Sequence, residues 1–582
     1  MSSQLFLDIK GKALYIAKRS EVGMFYERWH IRSPARDGEL VDVLLRNRGI
    51  TREEFRQWWR GKSYSPFQMQ DMEKAVSRVL KAVREGERIV LFGDYDADGI
   101  TGTALLWEFL KGIGADVCYL LPHRVLDGYG IRPGGIKQAQ RMGADLVITV
   151  DNGISSLEAA RLAERLGIDL VITDHHLQEG PLPPAEAVVD PNRRDDDYPF
   201  KGLSGVGVAY KLALALVEAL GRSFDPPLDL IALGTVADMV PLVDENWWMV
   251  RKGLKAIAAT KRPGLQKLLE VTGNLNKVIT VTTVGFHLGP RLNVAGRIYT
   301  PDMAFKLLVS RNSGEAARIA RELNRLNEAR QRMVERGLAE AEAIIEERNM
   351  LEERMLVLLG EDWHIGVVGL IAQKLVERYN RPVLVLTRAP EEGVLTGSAR
   401  SVHGFPITDV LARLSDYLLT FGGHELAAGC SLQKEAFEPF RAGLLSAARE
   451  LLPEEDLGPT LEVDCFVEPE EINPDTMKIL KALEPFGHGY PPPMFAMRGC
   501  RVVDARPMGR GKHLRLYLEK RGYGMEAVGW GFGEEGWVPR RGDFVDVAFS
   551  LEEHSWRGRE TIRLVLEDIR KSSRPEARSP KS

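Results

Sequence analysis

The sequence predicts an α/β protein in which a parallel sheet is followed by one long helix, a second α/β unit and a small C-terminal all-β barrel. Three observations carry that expectation. Four short aliphatic and aromatic runs (residues 87–92, 116–121, 145–150 and 169–173) alternate with helix-patterned segments, and strands separated by helices form parallel sheets with right-handed crossovers. Residues 312–349 run almost without helix breakers and carry apolar side chains at helical spacing, from Ile319 and Leu323 to Ala341 and Ile345. The last part of the chain is a succession of short alternating runs, LEVDCFV, RVVDARPM, HLRLYLEK, MEAVGWGF, DFVDVAFSLEE and TIRLVLEDI, the cadence of a barrel. With 582 residues, a single core is excluded.

Taken in order, residues 1–70 read as a small helical preface in which Trp58 and Trp59 are expected to pack. Residues 71–311 form the parallel-sheet domain, and 312–350 the connecting helix, opened by Asn312 and Glu315 at capping-box spacing. Residues 351–455 form the second α/β domain, with strands MLVLLG and RPVLVLT; 456–572 form the barrel, and 573–582 a disordered tail. The 44% hydrophobic and 27% charged content is that of a soluble globular protein. No apolar run approaches the roughly 18 residues of a membrane span, and the first residues lack a signal-peptide layout. Four isolated cysteines offer no zinc or redox motif. A cytoplasmic location is expected. Net charge is −4, yet residues 498–582 hold 18 basic against 13 acidic side chains. A basic module on an acidic body fits an OB-fold that tracks single strands, with Phe486, Tyr490, Tyr517 and Trp530 as possible stacking residues.

The chemistry centres on LFGDYDADGITG (91–102), a buried strand running into an acidic turn and then a helix. Asp94, Asp96 and Asp98 lie within five residues, with no Lys or Arg in the turn. Their repulsion calls for a divalent metal. An EF-hand loop is excluded because its twelfth position holds Leu105, where calcium needs Glu. In a parallel sheet, ligands gather beyond the C-terminal strand ends. There stand Asp151, Asn152 and Gly153, then Asp174, His175 and His176, while Asp238 is the one acid inside an apolar helical stretch. Carboxylates with imidazoles and no thiolate suit Mn2+ or Mg2+. Six acids and two histidines exceed the needs of one ion, whereas two ions about 3.5–4 Å apart form the clamp used in phosphoester hydrolysis.

DYDADG, DNG, DHH and GTVADMVPL resemble the four motifs of the DHH phosphoesterase superfamily. From about residue 50 to about 570 the chain is similar to the RecJ family within it, the bacterial exonucleases specific for single strands. That similarity includes LPHRVLDGYGIRP, LSGVGVAYKL, HLGPRLNVAGRI and GGHELAAG, the last being the glycine-rich motif of the DHH-associated domain. The resemblance implies one metal held by Asp94 or Asp96 with Asp151, and another by Asp98, Asp151, His175 and Asp238. Asp151 would bridge them, and His176 would contact the scissile phosphate directly or as proton donor. Asp174 would orient a histidine. Arg124 and Tyr129 would grip phosphate and stack on a base, and Arg297, flanked by Arg291 in the same motif, would contact phosphate. Gln331, with Arg330 beside it on the long helix, would face the DNA. Ser398, Arg400, Gly422, Gly423 and His424 would make a pocket for a terminal 5' phosphate, aided by a helix starting near Glu425. The resemblance departs at Tyr490, where the family has Asn.

The expected activity is 5'-3' exonuclease action on single-stranded DNA, releasing 5' mononucleotides in repair and recombination. Between the two α/β units, a narrow channel would admit one strand and the barrel would hold its distant part. The expected partners are single-stranded DNA, a helicase and a single-strand-binding protein, and the expected state is a monomer. Alternatives are a phosphodiesterase of short oligoribonucleotides or cyclic dinucleotides, whose relatives lack the barrel, a pyrophosphatase, and an inactive replisome scaffold, which would have no reason to keep every acid.

Overall fold

Alternation of apolar and polar residues decides the first element, and it adds a strand to the expected small helical preface. In the computed structural model, which describes residues 26, 28–123, 130–453, 457–533, 538–556 and 559–572, Arg28–Ser33 forms strand β1, paired in parallel with Thr460–Cys465. Every second residue faces inward: Trp29 and Ile31 pack on Leu461, Val463 and Ala496, and Trp29 Nε1 donates to Asp568 Oδ2 at 2.7 Å. The helices Leu40–Arg46 and Arg52–Arg60 are as expected. The chain divides into two compact units, one of residues 51–330 with 484–491, the other of residues up to 50, 331–483 and 492 onward.

The first unit is built on five parallel strands, β2 (Arg88–Gly93), β3 (Asp116–Leu120), β4 (Leu146–Val150), β5 (Asp169–Thr173) and β6 (Ala187–Val189), in the order β3-β2-β4-β5-β6. The sequence reading found all but β6, which is too short to show a pattern. Both faces are covered, which is why these strands are continuously apolar. Ile89, Leu91, Ile148 and Val150 face one core, and Val90, Phe92, Val147 and Ile172 the other. Trp58 is buried as expected, whereas Trp59 is half exposed, with the Arg251 guanidinium 3.6 Å over its ring. Tyr490 is fully buried and packs on Phe486 and Trp58, so it is a core residue and not a stacking platform.

A buried ion pair braces the helix Gly205–Leu220. Lys211 Nζ lies 2.5 Å from Glu245 Oε1 and also donates to the Tyr64 carbonyl and Ser63 Oγ, while Tyr198 donates to Glu245 Oε2 at 2.7 Å. Both charges are almost fully buried.

The helix Ser313–Glu347 spans 35 residues, about 50 Å at 1.5 Å per residue. Asn312 caps it by accepting from the Gly314 and Glu315 amides, but Glu315 bonds Ser310 and does not complete the box. The second unit then forms β7 (Leu356–Leu359), β8 (Val383–Arg388), β9 (Val394–Arg400), β10 (Thr420–His424) and β11 (Ala427–Gln433), ordered β10-β11-β9-β8-β7, with the helix Ile365–Tyr379 between β7 and β8. The helix expected near Glu425 is absent, because Glu425 and Leu426 are the turn of the β10–β11 hairpin. Gly423 allows that close turn at φ +142°, where a Cβ would meet the Ala427 carbonyl at 2.3 Å.

Six further strands follow: β12 (Thr460–Phe466), β13 (Phe495–Met508), β14 (His513–Lys520), β15 (Tyr523–Gly529), β16 (Phe544–Trp556) and β17 (Arg559–Lys571). The order β13-β14-β15-β17-β16, with β16 returning to β13, closes a five-stranded barrel, the OB-fold arrangement. Tyr517 and Trp530 are exposed on it. Among the described residues, no helix is long and apolar enough to cross a membrane.

Lys211→Met would strand the Glu245 carboxylate and is expected to cost the first unit about 3–5 kcal/mol, seen as a lower urea midpoint. Lys211→Met with Glu245→Leu should recover most of the loss. A single variant with the wild-type midpoint would show that the pair does not brace this helix.

Candidate metal centre

Strand order selects the place. The sheet grows to one side of β2 through β3 and to the other through β4, so the crevice beyond the ends of β2 and β4 is the topological switch point. Asp94 and Asp96 follow β2, Asp151 follows β4, and Asp174, His175 and His176 follow β5.

Asp96 caps the helix Ala97–Gly112, its Oδ1 accepting from the Asp98 and Gly99 amides at 2.9 and 3.1 Å. Asp98 is thereby turned inward. Fully buried, it accepts the Gly205 amide at 2.6 Å and the Val206 amide at 3.0 Å. Those amides open the helix Gly205–Leu220, whose positive end compensates a carboxylate. Close approach depends on missing side chains. A Cβ at Gly205 would lie 2.4 Å from Asp151 Cβ, and one at Gly234 would lie 2.7 Å from Asp98 Oδ1.

Three groups of possible ligand atoms result, each within 4.8 Å: Asp94, Asp96 and Asp151; Asp98, His175 and Asp238; and Asp151, His175 and His176. Asp151 and His175 belong to two groups each. His175 Nε2 lies 3.1 Å from Asp151 Oδ1 and 3.6 Å from Asp238 Oδ2, yet all three atoms are buried without a hydrogen-bond partner. A buried polar atom left unbonded costs about 1–3 kcal/mol, so their convergence fits a cation that they would share. The donors are carboxylate and imidazole with no thiolate, a set that suits Mn2+ or Mg2+.

Crowding shows in the proton affinities. Burial, then the charge of Asp238, pushes Asp98 up to about 8, and burial with Asp96 pushes Asp238 up to about 7. Asp151 is raised well above the carboxylate range by burial and by Asp98. Burial, with the charge on His176, lowers His175 and keeps its imidazole neutral, the form that binds metal.

His176 behaves oppositely. Its Nδ1 lies 2.7 Å from Asp174 Oδ1. Burial opposes the charge on this ring, but the Asp174 carboxylate overrides it and holds His176 at about 10, while Asp174 itself falls to about 2 against its own burial. Asp174 also accepts the His175 and Ile154 amides at 2.8 and 2.9 Å, tying the DHH turn to the DNG turn.

Several supporting residues carried no signal in the sequence. Asn192 Nδ2 donates to the His175 carbonyl at 2.6 Å, and its amide donates to the buried Asp190 at 2.7 Å. Asn293 Oδ1 accepts the Ala97 amide at 2.6 Å. The motifs LSGVGVAYKL and HLGPRLNVAGRI held the Asp98 and Ala97 contacts, but their spacing did not say what they touched.

Of the expected DNA contacts, Arg124 and Tyr129 lie outside the described residues. Arg297 is in the last turn of the helix Gly289–Ile298, and Gln331 is partly buried in the long helix. Ser398, Arg400, Gly422, Gly423 and His424 belong to the second unit, on β9 and β10, the two strands that flank β11. Ser398 pairs with Gly429, which pairs with Gly422, and Arg400 pairs with Ala427, which pairs with His424. Their side chains thus share one face, where Arg400 donates to Ser398 Oγ at 2.8 Å.

Residues 88–235 match the DHH family N-terminal domain, 352–450 the DHHA1 domain, and 463–568 the RecJ OB domain. The single-stranded-DNA-specific exonuclease RecJ of Bacillus subtilis (strain 168) is 38% identical over 559 residues, covering 93% of this chain and 70% of that protein. The protein of the same name from Escherichia coli (strain K12) is 37% identical over 525 residues, covering 86% and 90%. RecJ from Thermus thermophilus in complex with Mn2+ has a TM-score of 0.76 at 32% identity, covering 92% of this chain and 76% of that one. Its Mg2+ complex gives 0.73 at 30% identity, covering 92% and 75%. With the acidic switch-point cluster, the DHH-associated sheet and the closed barrel in one chain, this protein belongs to the RecJ family of single-stranded-DNA-specific exonucleases.

Proposed function

We propose that the chain degrades single-stranded DNA from its 5' end, releasing 5' mononucleotides by a two-metal reaction that serves DNA repair and recombination in the cytoplasm. The observation that carries the reading is that His175 Nε2 lies beside both Asp151 Oδ1 and Asp238 Oδ2, all three buried and without a hydrogen-bond partner, in groups that also take in Asp94, Asp96 and Asp98. Asp94 or Asp96 with Asp151 would hold one ion, and Asp98, Asp151, His175 and Asp238 the other. When bound, the ions supply Lewis acidity toward water and neutralise charge on the phosphate.

The chain's own groups account for the rest. Asp151 shares one group with Asp94 and Asp96 and another with His175 and His176, which suits a bridging carboxylate. His176, kept cationic by Asp174, is suited to hold a phosphate oxygen through its second ring nitrogen and to give a proton to the departing sugar oxygen. Arg124, Tyr129, Arg297 and Gln331 would position the strand, and the face carrying Ser398, Arg400, Gly422 and His424, with Gly423 between the last two, would take the terminal 5' phosphate. The chain is expected to act as a monomer, with a helicase and a single-strand-binding protein supplying its substrate.

The deciding experiment digests 5'-labelled and 3'-labelled single strands with Mn2+, comparing wild type with Asp151→Ala. Early release of the 5' label as mononucleotide, abolished in the variant, is the expected result. Early release of the 3' label would reverse the polarity, and full activity of the variant would remove Asp151 from the site.

His176→Gln should lower kcat by about 10²–10⁴-fold while Mn2+ affinity, read by calorimetry, stays within a few-fold. A loss of metal binding equal to the loss of rate would make His176 a ligand.

The raised carboxyls set a pH dependence with a definite sign. Asp98 and Asp238 titrate at about 8 and about 7 in the folded metal-free protein, far above their unfolded values. Metal-free stability should therefore fall as pH rises from about 4 to about 8. Mn2+ binding, which must displace those protons, should tighten over the upper part of that range. Calorimetry in buffers of different ionisation enthalpy measures both affinity and proton release, and an affinity indifferent to pH would contradict protonated carboxyls.

A further inference from the structure

Several buried and half-buried arginines in this protein are matched to carboxylates. Arg48 meets Asp464, Arg78 meets Glu87 and Asp169, Arg193 meets Asp71 and Asp195, and Arg262 meets Glu108 and Asp229. Arg251 is covered by Trp59 and Trp247 instead. Arg291 and Arg330, both half-buried, differ from these. Arg291, in the helix Gly289–Ile298, donates only to neutral acceptors, Asn324 Oδ1 at 2.9 Å and the His287 carbonyl at 2.7 Å. Arg330 Nε is buried with no hydrogen-bond partner, and among the described residues no carboxylate bonds either guanidinium. The two cations are near enough that Arg330 lowers the proton affinity of Arg291 to about 10, after burial as the larger cause.

A third group is unmatched in the same place. Asn327 is fully buried, yet neither its Oδ1 nor its Nδ2 has a partner. It lies one turn before Arg330 and one turn after Asn324, the residue that holds Arg291, so Asn324, Asn327 and Arg330 line one side of the long helix. Two like charges and a buried amide are thus assembled with donors unspent. Glu328, held by Asn324 Nδ2 at 2.8 Å, offsets part of the charge on Arg291 from a distance but bonds neither guanidinium, so an anion that does so would complete the arrangement. Guanidinium and amide N–H groups carried by two helices that the Arg291–Asn324 bond joins suit the oxygens of a phosphate. This cluster lies outside the metal centre: Asn293 on the same short helix reaches the Ala97 amide, whereas Arg291 is turned to Asn324.

We infer that Arg291, Asn327 and Arg330 form a phosphate-binding site. The phosphate could belong to an internal phosphodiester of the bound strand or to a free mononucleotide. Assigning it to the strand rests on the exonuclease reading, but the anion site itself does not.

The test uses the full chain, wild type beside Arg330→Met, with Arg330→Gln as a second variant if the first does not fold. In EDTA, inorganic phosphate should raise the Tm of the wild type and do so much less in the variant. Without phosphate, the variant should melt at the wild-type temperature or above, because an unmatched buried charge has been removed; a structural role would predict the reverse. With Mn2+ and an oligothymidylate, KM should rise about tenfold or more at nearly constant kcat, and the salt dependence of binding should fall by about one charge. If the site holds the strand, a single neutral methylphosphonate should weaken wild-type binding at one position and leave the variant indifferent there. If it holds a free mononucleotide, KM stays and product inhibition weakens instead. A variant with unchanged phosphate response, KM and product inhibition would overturn the site. A wild type that cuts no strand would overturn the exonuclease reading, while the phosphate response would still judge this one.

Discussion

Repulsion among carboxylates is the constraint on which the first unit depends. Asp94, Asp96, Asp98, Asp151 and Asp238 converge where water is largely excluded, and each neighbour makes the charge on another harder to carry. The surrounding structure answers with what it has. The start of the helix Gly205–Leu220 offers two amides to Asp98, Gly205 and Gly234 give up their side chains so that the acids can close in, and Lys211 with Glu245 braces that helix further along. These devices hold the acids together without neutralising them. The residual proton affinity is what a divalent ion exploits, since it replaces protons the cluster would otherwise keep.

The two adjacent histidines illustrate how environment divides labour between identical side chains. His175 faces Asp151 and Asp238 with an unbonded ring nitrogen and is kept neutral; His176, one residue on, spends its Nδ1 on Asp174 and is kept charged. Asp174 makes the difference, because it serves one ring through its carboxylate and the other only through a backbone amide. Behind it, Asn192 fixes the carbonyl of the same turn. A neutral ring with an unbonded nitrogen and a charged ring thus come from consecutive positions.

The second unit solves a different problem. Its barrel closes by returning β16 to β13, and β12 and β1 extend the sheet from β13, so that residues near both ends of the chain share one hydrogen-bonded network. Trp29 on Asp568 and Arg48 on Asp464 fasten that arrangement from the side chains. The DHH-associated sheet places small residues, Ser398, Gly422 and Gly429, in one row across three strands, which leaves backbone open to a ligand beside Arg400.

The sequence by itself determined the order of the domains, the parallel sheet, the long helix, the barrel strands and the identity of the acids and histidines. These are legible because they rest on local periodicity and on residue type: a buried strand is apolar whatever it pairs with, and acids packed into a short turn announce a cation wherever they fold. Tertiary structure alone decided what depends on contacts between distant segments. RWHIRS is a strand only because Thr460–Cys465 lies beside it, and GGHELAAG is a hairpin and not a helix start because β9 supplies the third strand. Tyr490 is a core residue because Trp58 and Phe486 enclose it. The opposite protonation of His175 and His176, the amides on Asp98 and the unmatched Arg330 follow from burial and from partners far away in the chain, and none of them can be read from the composition of a segment.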